Sequence, residues 1–155
     1  MVWIVPHEEL TPDQIRAIQL SRDQHHAILG APGSGKTQIL LHRARHLSDE
    51  YDISPERFHV FVFTNVLKNY IRAGLNDLDL PEDCVTTLDD WCIQVYKREI
   101  GARLPWSERD RRTDYAAIRE AVHEVVKDEK PFDFILVDEG QDLDEAAFAL
   151  LRDLA

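Results

Sequence analysis

The sequence predicts an α/β fold with a mostly parallel, doubly wound sheet, and three observations point to it. Short apolar runs alternate with helix-like segments along the chain, the order that makes strand–helix–strand units. One run, Phe58 to Phe63 (FHVFVF), is almost continuously apolar, as a strand covered on both faces should be. The octapeptide Gly30 to Thr37, GAPGSGKT, stands between an apolar HAIL and the helix-like QILLHRARHL. That strand–loop–helix setting is the one in which its spacing forms a phosphate cradle.

In chain order, Thr11 suits an N-cap, Pro12 the first helical position and Gln14 the third position of a capping box, so a helix is expected to about Ser21. His25 to Leu29 reads as a short buried strand feeding the glycine loop. The helix after the loop runs to about Asp49, with Ile39, Leu40, Ala44 and Leu47 on one side. A loop from Asp52 to Arg57 leads into the Phe58–Phe63 strand, then a helix over Leu67 to Leu75. Cys84 to Thr87 is a third strand. Leu88 to about Ile100 is a helix burying Trp91, Cys92, Val95 and Tyr96 and stopping at Gly101. Arg103 to Arg112 is polar loop. Thr113 then caps a helix to about Val126 with Tyr115, Ile118, Val122 and Val125 inward. Phe132 to Val137 is a fourth strand ending in Asp138-Glu139, and Leu143 to Leu154 a last helix with Phe148, Leu151 and Leu154 inward. No repeat, low-complexity tract or linker interrupts the order, so residues 1–155 are expected to form one domain.

Composition limits what such a domain does. With 29 acidic against 18 basic residues the net charge is −11, which gives no bulk attraction to nucleic acid or anionic membrane. Any nucleic-acid contact must be local. The two cysteines, Cys84 and Cys92, have no further Cys or His at metal-ligand spacing and are expected to be reduced thiols. MVWIVPHEEL is too short and too acidic for a signal peptide, and no apolar run reaches the roughly 18 residues of a membrane span. A cytoplasmic protein is expected.

Chemistry concentrates at the ends of the predicted strands. Glycines let backbone N–H groups turn inward around phosphates, and the following helix adds its positive N-terminus. Gly30, Ala31, Pro32, Gly33, Ser34, Gly35, Lys36, Thr37 and the adjoining Gln38 are therefore the expected nucleotide contacts, with Lys36 on the β- and γ-phosphates and Thr37 on Mg²⁺. Asp138, after the apolar FILV, would complete the metal site. Glu139 beside it would orient the water that attacks the γ-phosphate. A nucleoside triphosphate and Mg²⁺ are the cofactors this implies; the adenine base, hence ATP, comes with the resemblance below.

Five separated motifs, in order, then resemble the first RecA-like motor domain of UvrD/Rep-type superfamily 1 helicases. GAPGSGKT and VDEGQD are the specific ones, the latter matching the family's DExQD from Asp138 to Asp142. The resemblance implies a P-loop, three-layer fold, and that Gln141 couples nucleotide state to the DNA site. LTPDQ resembles the glutamine motif, implying that Gln14 bonds adenine through both ends of its amide. VFVFTN is similar to motif Ia, which assigns Thr64 and Asn65 to single-stranded DNA. TLDDWC resembles motif Ib, which adds Thr87 and Trp91.

Departures from the pattern shape the functional expectation. Asp89-Asp90 stands where motif Ib usually has His-Ser, and two carboxylates repel a phosphate backbone; as residues of a helix N-terminus they are equally at home. Where the family inserts a helical subdomain, residues 101–130 have room for only a small one. Trp106 with Arg103, Arg109, Arg111 and Arg112 reads either as a nucleic-acid contact or as a solvated loop. The strand that follows the acidic-motif helix, and the second RecA-like domain expected as a partner in cis or trans, do not appear in the 155 residues, so a piece of a longer helicase is expected. Such a piece should bind ATP, hydrolyse it poorly for want of an arginine finger, and not unwind DNA. The alternative is an ATP-dependent switch or assembly module without motor activity. A small-molecule kinase fits the loop but not Glu139 or Gln141.

Overall fold

A computed structural model describes residues 4–101 and 103–155. Its centre is a three-stranded parallel sheet of β1 (Phe58–Val62), β2 (Val85–Thr87) and β5 (Phe134–Val137), in the order β2-β1-β5. Val60 lies opposite both Val85 and Leu136 in the two ladders. Side chains alternate along β1 as the pleat requires. Phe58, Val60 and Val62 pack on Leu40, Leu41 and Ala44 of α2 (Lys36–Glu50) and Ile71 of α3 (Asn65–Arg72). Phe61 turns to the other face and packs with Cys92 and Val95 of α4 (Leu88–Val95), Ile118 and Val122 of α5 (Tyr115–Val126), and Leu150 and Leu151 of α6 (Glu145–Asp153). Helices thus cover both faces. Every strand of this sheet ends on the same edge, which is where the functional residues collect.

Local chemistry explains the boundaries. Helix α1 (Pro12–Ile18) carries the expected capping box between Thr11 and Gln14. It ends before Ser21 because the buried Arg43 of α2 draws in the carbonyls of Ile18 and Leu20 at 2.8 and 2.7 Å. Thr64 and Thr87 cap α3 and α4 by accepting from Leu67 N and Asp90 N. Helix α4 continues into a π-type turn, Tyr96–Ile100, which Gly101 closes at φ 67°. Both thiols are buried, and burial pushes Cys84 and Cys92 up to about 12, so neither is a nucleophile at neutral pH.

Several expectations are corrected. His25 to Leu29 is not a strand and is not buried: it makes no ladder with the β5 edge, and Leu29 is 92 % exposed. Only Ile28 packs, against the small cluster of Leu10, Ile18 and Ile39. Two histidines and three apolar residues bury too little surface here to hold a strand by packing alone. The sheet therefore has three strands rather than four. The loop from Arg103 to Arg112 contains a two-residue hairpin, β3 (Trp106–Ser107) against β4 (Arg112–Thr113), braced by Ser107 Oγ accepting from Asp110 N at 3.1 Å. Asp114, not Thr113, caps α5, leaving Tyr115 at the surface; Val126 is buried in the core and Val125 packs half-buried against it. In α6 the stripe Ala147, Leu150, Leu151 and Leu154 is buried, and Phe148 is 53 % exposed because that stripe sets the helix phase. No helix among the described residues is long and apolar enough to cross a membrane.

Candidate functional site

The site lies where the glycine loop meets the carboxyl end of β5. Gly35 takes φ 83° as the N-cap of α2, which puts Lys36 in the first helical turn. A Cβ on Gly35 would stand 2.5 Å from the mobile end of the Gln14 side chain, so it is the left-handed φ rather than this contact that calls for glycine. Lys36 Nζ donates to Gly30 O at 2.9 Å and Ala31 O at 3.1 Å, which holds the ammonium inside the curve of the loop. Thr37 Oγ1 donates to Asp138 Oδ2 at 2.7 Å, a contact across 101 residues. Two hard oxygens on adjoining elements are the donor type that Mg²⁺ takes.

Asp138 is buried and held from three directions. Its N–H continues the ladder to Phe61 O at 2.9 Å, and its Oδ1 accepts from Glu139 N at 3.0 Å. The chain then turns sharply: Glu139 takes φ 54°, a left-handed conformation unusual for a residue with a Cβ, and a short 3₁₀ turn, Gly140–Asp142, follows. Such local strain is tolerated where the fold over-determines it. The turn swings Gln141 back so that its Nε2 donates to Glu139 Oε2 at 2.5 Å. Lys36, Thr37, Asp138, Glu139 and Gln141 are thereby brought to one end of the sheet.

The other expected residues are placed differently. Gln14 spends both ends of its amide inside the protein, Oε1 accepting from Thr11 N at 2.9 Å and Nε2 donating to Ser34 O at 3.3 Å. Thr64 and Asn65 are exposed at the head of α3, beside Phe63 and Val66, which are also exposed. Thr87 is buried with its hydroxyl capping α4. Trp91 stacks edge-on against Phe61 at 5.8 Å and lies 6.1 Å from Phe132, so its ring serves the core. Asp90 pairs with Lys68 Nζ at 2.5 Å, and Asp89 lies 3.4 Å from Arg119 Nε; burial raises the Asp89 carboxyl above its ordinary range. No sequence spacing relates 68 to 90 or 89 to 119, so these pairs had no signal in the sequence. Arg103, Arg109, Arg111, Arg112 and Trp106 are all exposed.

Sheet, loop and acid together define a parallel α/β domain that carries a GxxxxGKT loop against a strand-end aspartate. Residues 10–131 match the family model of the UvrD/REP helicase N-terminal domain, and the chain belongs to that family. Among curated proteins it is similar to the ATP-dependent DNA helicase PcrA of Staphylococcus epidermidis RP62A, 33 % identical over 75 residues. That stretch is 46 % of this chain and 10 % of the relative. PcrA of Staphylococcus aureus Mu50 is 32 % identical over 75 residues, with the same coverage. The match therefore spans about a tenth of these relatives' length. No solved structure matches the chain.

Proposed function

We propose that this chain is the RecA-like, ATP-binding domain of a UvrD/Rep-like helicase or translocase, coupling Mg·ATP hydrolysis to movement on single-stranded DNA. The observation that carries the reading is the 2.7 Å bond from Thr37 to Asp138, which joins the glycine loop to the strand-end acid. In this reading the backbone of residues 30–37 and the Lys36 ammonium bind the phosphates, Thr37 and Asp138 hold Mg²⁺, and Glu139 orients the attacking water. Bound Mg²⁺ would neutralise charge on the β- and γ-oxygens. Gln141 fixes the Glu139 carboxylate and is placed to report on it. Thr64 and Asn65 would face the DNA strand, whereas Thr87 and Trp91 contribute as cap and core. A second RecA-like domain, in cis or trans, would supply the arginines for fast turnover.

A specific observation favours the second reading, an ATP-dependent switch: the half-exposed Asp89 and Asp90 are paired with Arg119 and Lys68 of the same fold, so these motif Ib positions carry acids committed to internal partners in place of phosphate-binding groups. The two readings separate in one measurement. Linked to a second motor domain, the chain should hydrolyse ATP faster when a single-stranded oligonucleotide is added. Hydrolysis indifferent to DNA would eliminate the motor and leave the switch.

Gln14 permits a further prediction. Gln14→Ala removes the cap bond, the Ser34 bond and any adenine contact at once, so ATP-over-GTP preference should fall by about tenfold, the weight of roughly one hydrogen bond. Competition binding of the two nucleotides reads this. Unchanged preference with a lowered melting temperature would assign Gln14 to capping and loop support alone.

A further inference from the structure

Arg119 is a cation that has not chosen between two acids. It projects from α5 with Nε 3.4 Å from Asp89 Oδ1 on α4 and Nη1 3.4 Å from Asp144 Oδ2 at the head of α6. Neither contact is closed to the 2.7–2.9 Å usual of a charge-assisted bond. Its Nε is buried and has no hydrogen-bond partner. A guanidinium pairs well with a carboxylate as a planar fork, so tightening on one acid loosens the other, and a buried unpaired donor favours such tightening. Asp144 is also committed: its Oδ1 caps α6 by accepting from Ala147 N at 2.8 Å, two residues beyond the turn that carries Glu139 and Gln141. On the other side, Asp89 adjoins Asp90, which holds Lys68 of α3, the helix headed by Thr64 and Asn65.

We propose that Arg119 is a positioning residue that couples the 138–142 turn to helix α3, by shifting between Asp144 and the Asp89-Asp90-Lys68 pairing. This rests on the reading of the first as the nucleotide side and the second as the nucleic-acid side. It also gives Asp89-Asp90 a use: the pair serves as the internal end of the link in place of a DNA contact. Two discrete arrangements of one charged group are the element through which two sites bias each other.

The test is the equilibrium affinity of the chain for a non-hydrolysable Mg·ATP analogue, with and without saturating oligo(dT). Wild type should show coupling of about fivefold or more. Arg119→Met keeps the apolar stem and loses the charge, and should bring that ratio close to one while each ligand alone binds as before. Asp144→Asn keeps a capping oxygen and loses the charge, and should do the same without unfolding α6; Arg119→Lys should restore part of the ratio. Coupling preserved in both charge-removing variants overturns the proposal, as does an equal loss of affinity for each ligand alone, which would mark a merely structural role. Coupling absent from a wild type that binds both ligands overturns it and leaves the proposed function standing. A wild type that binds neither ligand ends the proposed function and this inference together.

Discussion

Lys36→Ala should lower the affinity for Mg·ATP by about 10² to 10⁴, because it removes a cation donating to charged oxygens, with each such bond worth roughly 1.5–3 kcal/mol. The fold should survive, since the hydrogen bonds of Lys36 Nζ among the described residues go to the carbonyls of Gly30 and Ala31, both on the exposed loop. Glu139→Gln should behave in the opposite way. It keeps side-chain size and a carbonyl oxygen that can accept from Gln141, so binding should hold while hydrolysis drops by about 10² to 10⁴, the usual weight of a positioned base. Nucleotide titration beside single-turnover hydrolysis separates the two. Loss of binding in both variants to the same degree would remove Glu139 from the role of base.

Mild acid should destabilise the protein through one residue, His59. Its ring lies buried in β1, with Nε2 2.8 Å from Thr86 Oγ1 and the rings of Phe61 and Phe132 beside it at 4.7 and 5.5 Å. Desolvation first, and the nearby Arg72 second, lower it from 6.5 to about 4. The unfolded chain therefore takes up a proton at a pH where the folded one does not. Stability is full above about 6.5 and falls as pH drops from there towards 4, the reverse of a histidine that gains an acidic partner. By linkage, about 2 kcal/mol of the stability present at pH 7.5 should be gone at pH 5. Urea unfolding of wild type and His59→Gln at the two pH values checks this. A slope unchanged in the variant would transfer the acid sensitivity to other groups.

How legible the protein was in its sequence depended on how local each determinant is. The cap at Thr11 and the stop at Gly101 act within a few residues, and the sequence located both; Thr64 and Thr87, read from the sequence as nucleic-acid contacts, cap α3 and α4. The stripe Ile39, Leu40, Ala44 and Leu47 and the run FHVFV needed only periodicity. Phe148 and Tyr115 were misplaced because two apolar stripes overlap on a short helix, and the one that buries more area against the neighbouring elements sets the phase. His25 to Leu29 was misplaced for a related reason: a strand exists by pairing, and no feature of five residues records whether a neighbouring edge accepts them.

By itself the sequence determined which groups the protein has for chemistry: a glycine loop ending in Lys36-Thr37, an acid pair after an apolar strand, and a glutamine two residues further on. It also determined the parallel α/β order, since alternating strands and helices with short connections leave few other ways to bury both faces of β1. Only the tertiary structure decided which of these groups meet. Thr37 reaches Asp138 because β5 lies beside β1 and α2 packs across them; Asp89 turns to Arg119 because α4 packs on α5, and Asp90 meets Lys68 because α4 starts directly from β2, against which α3 packs. Charge pairs form according to distance in space, and distance between residues a hundred positions apart is fixed by packing alone.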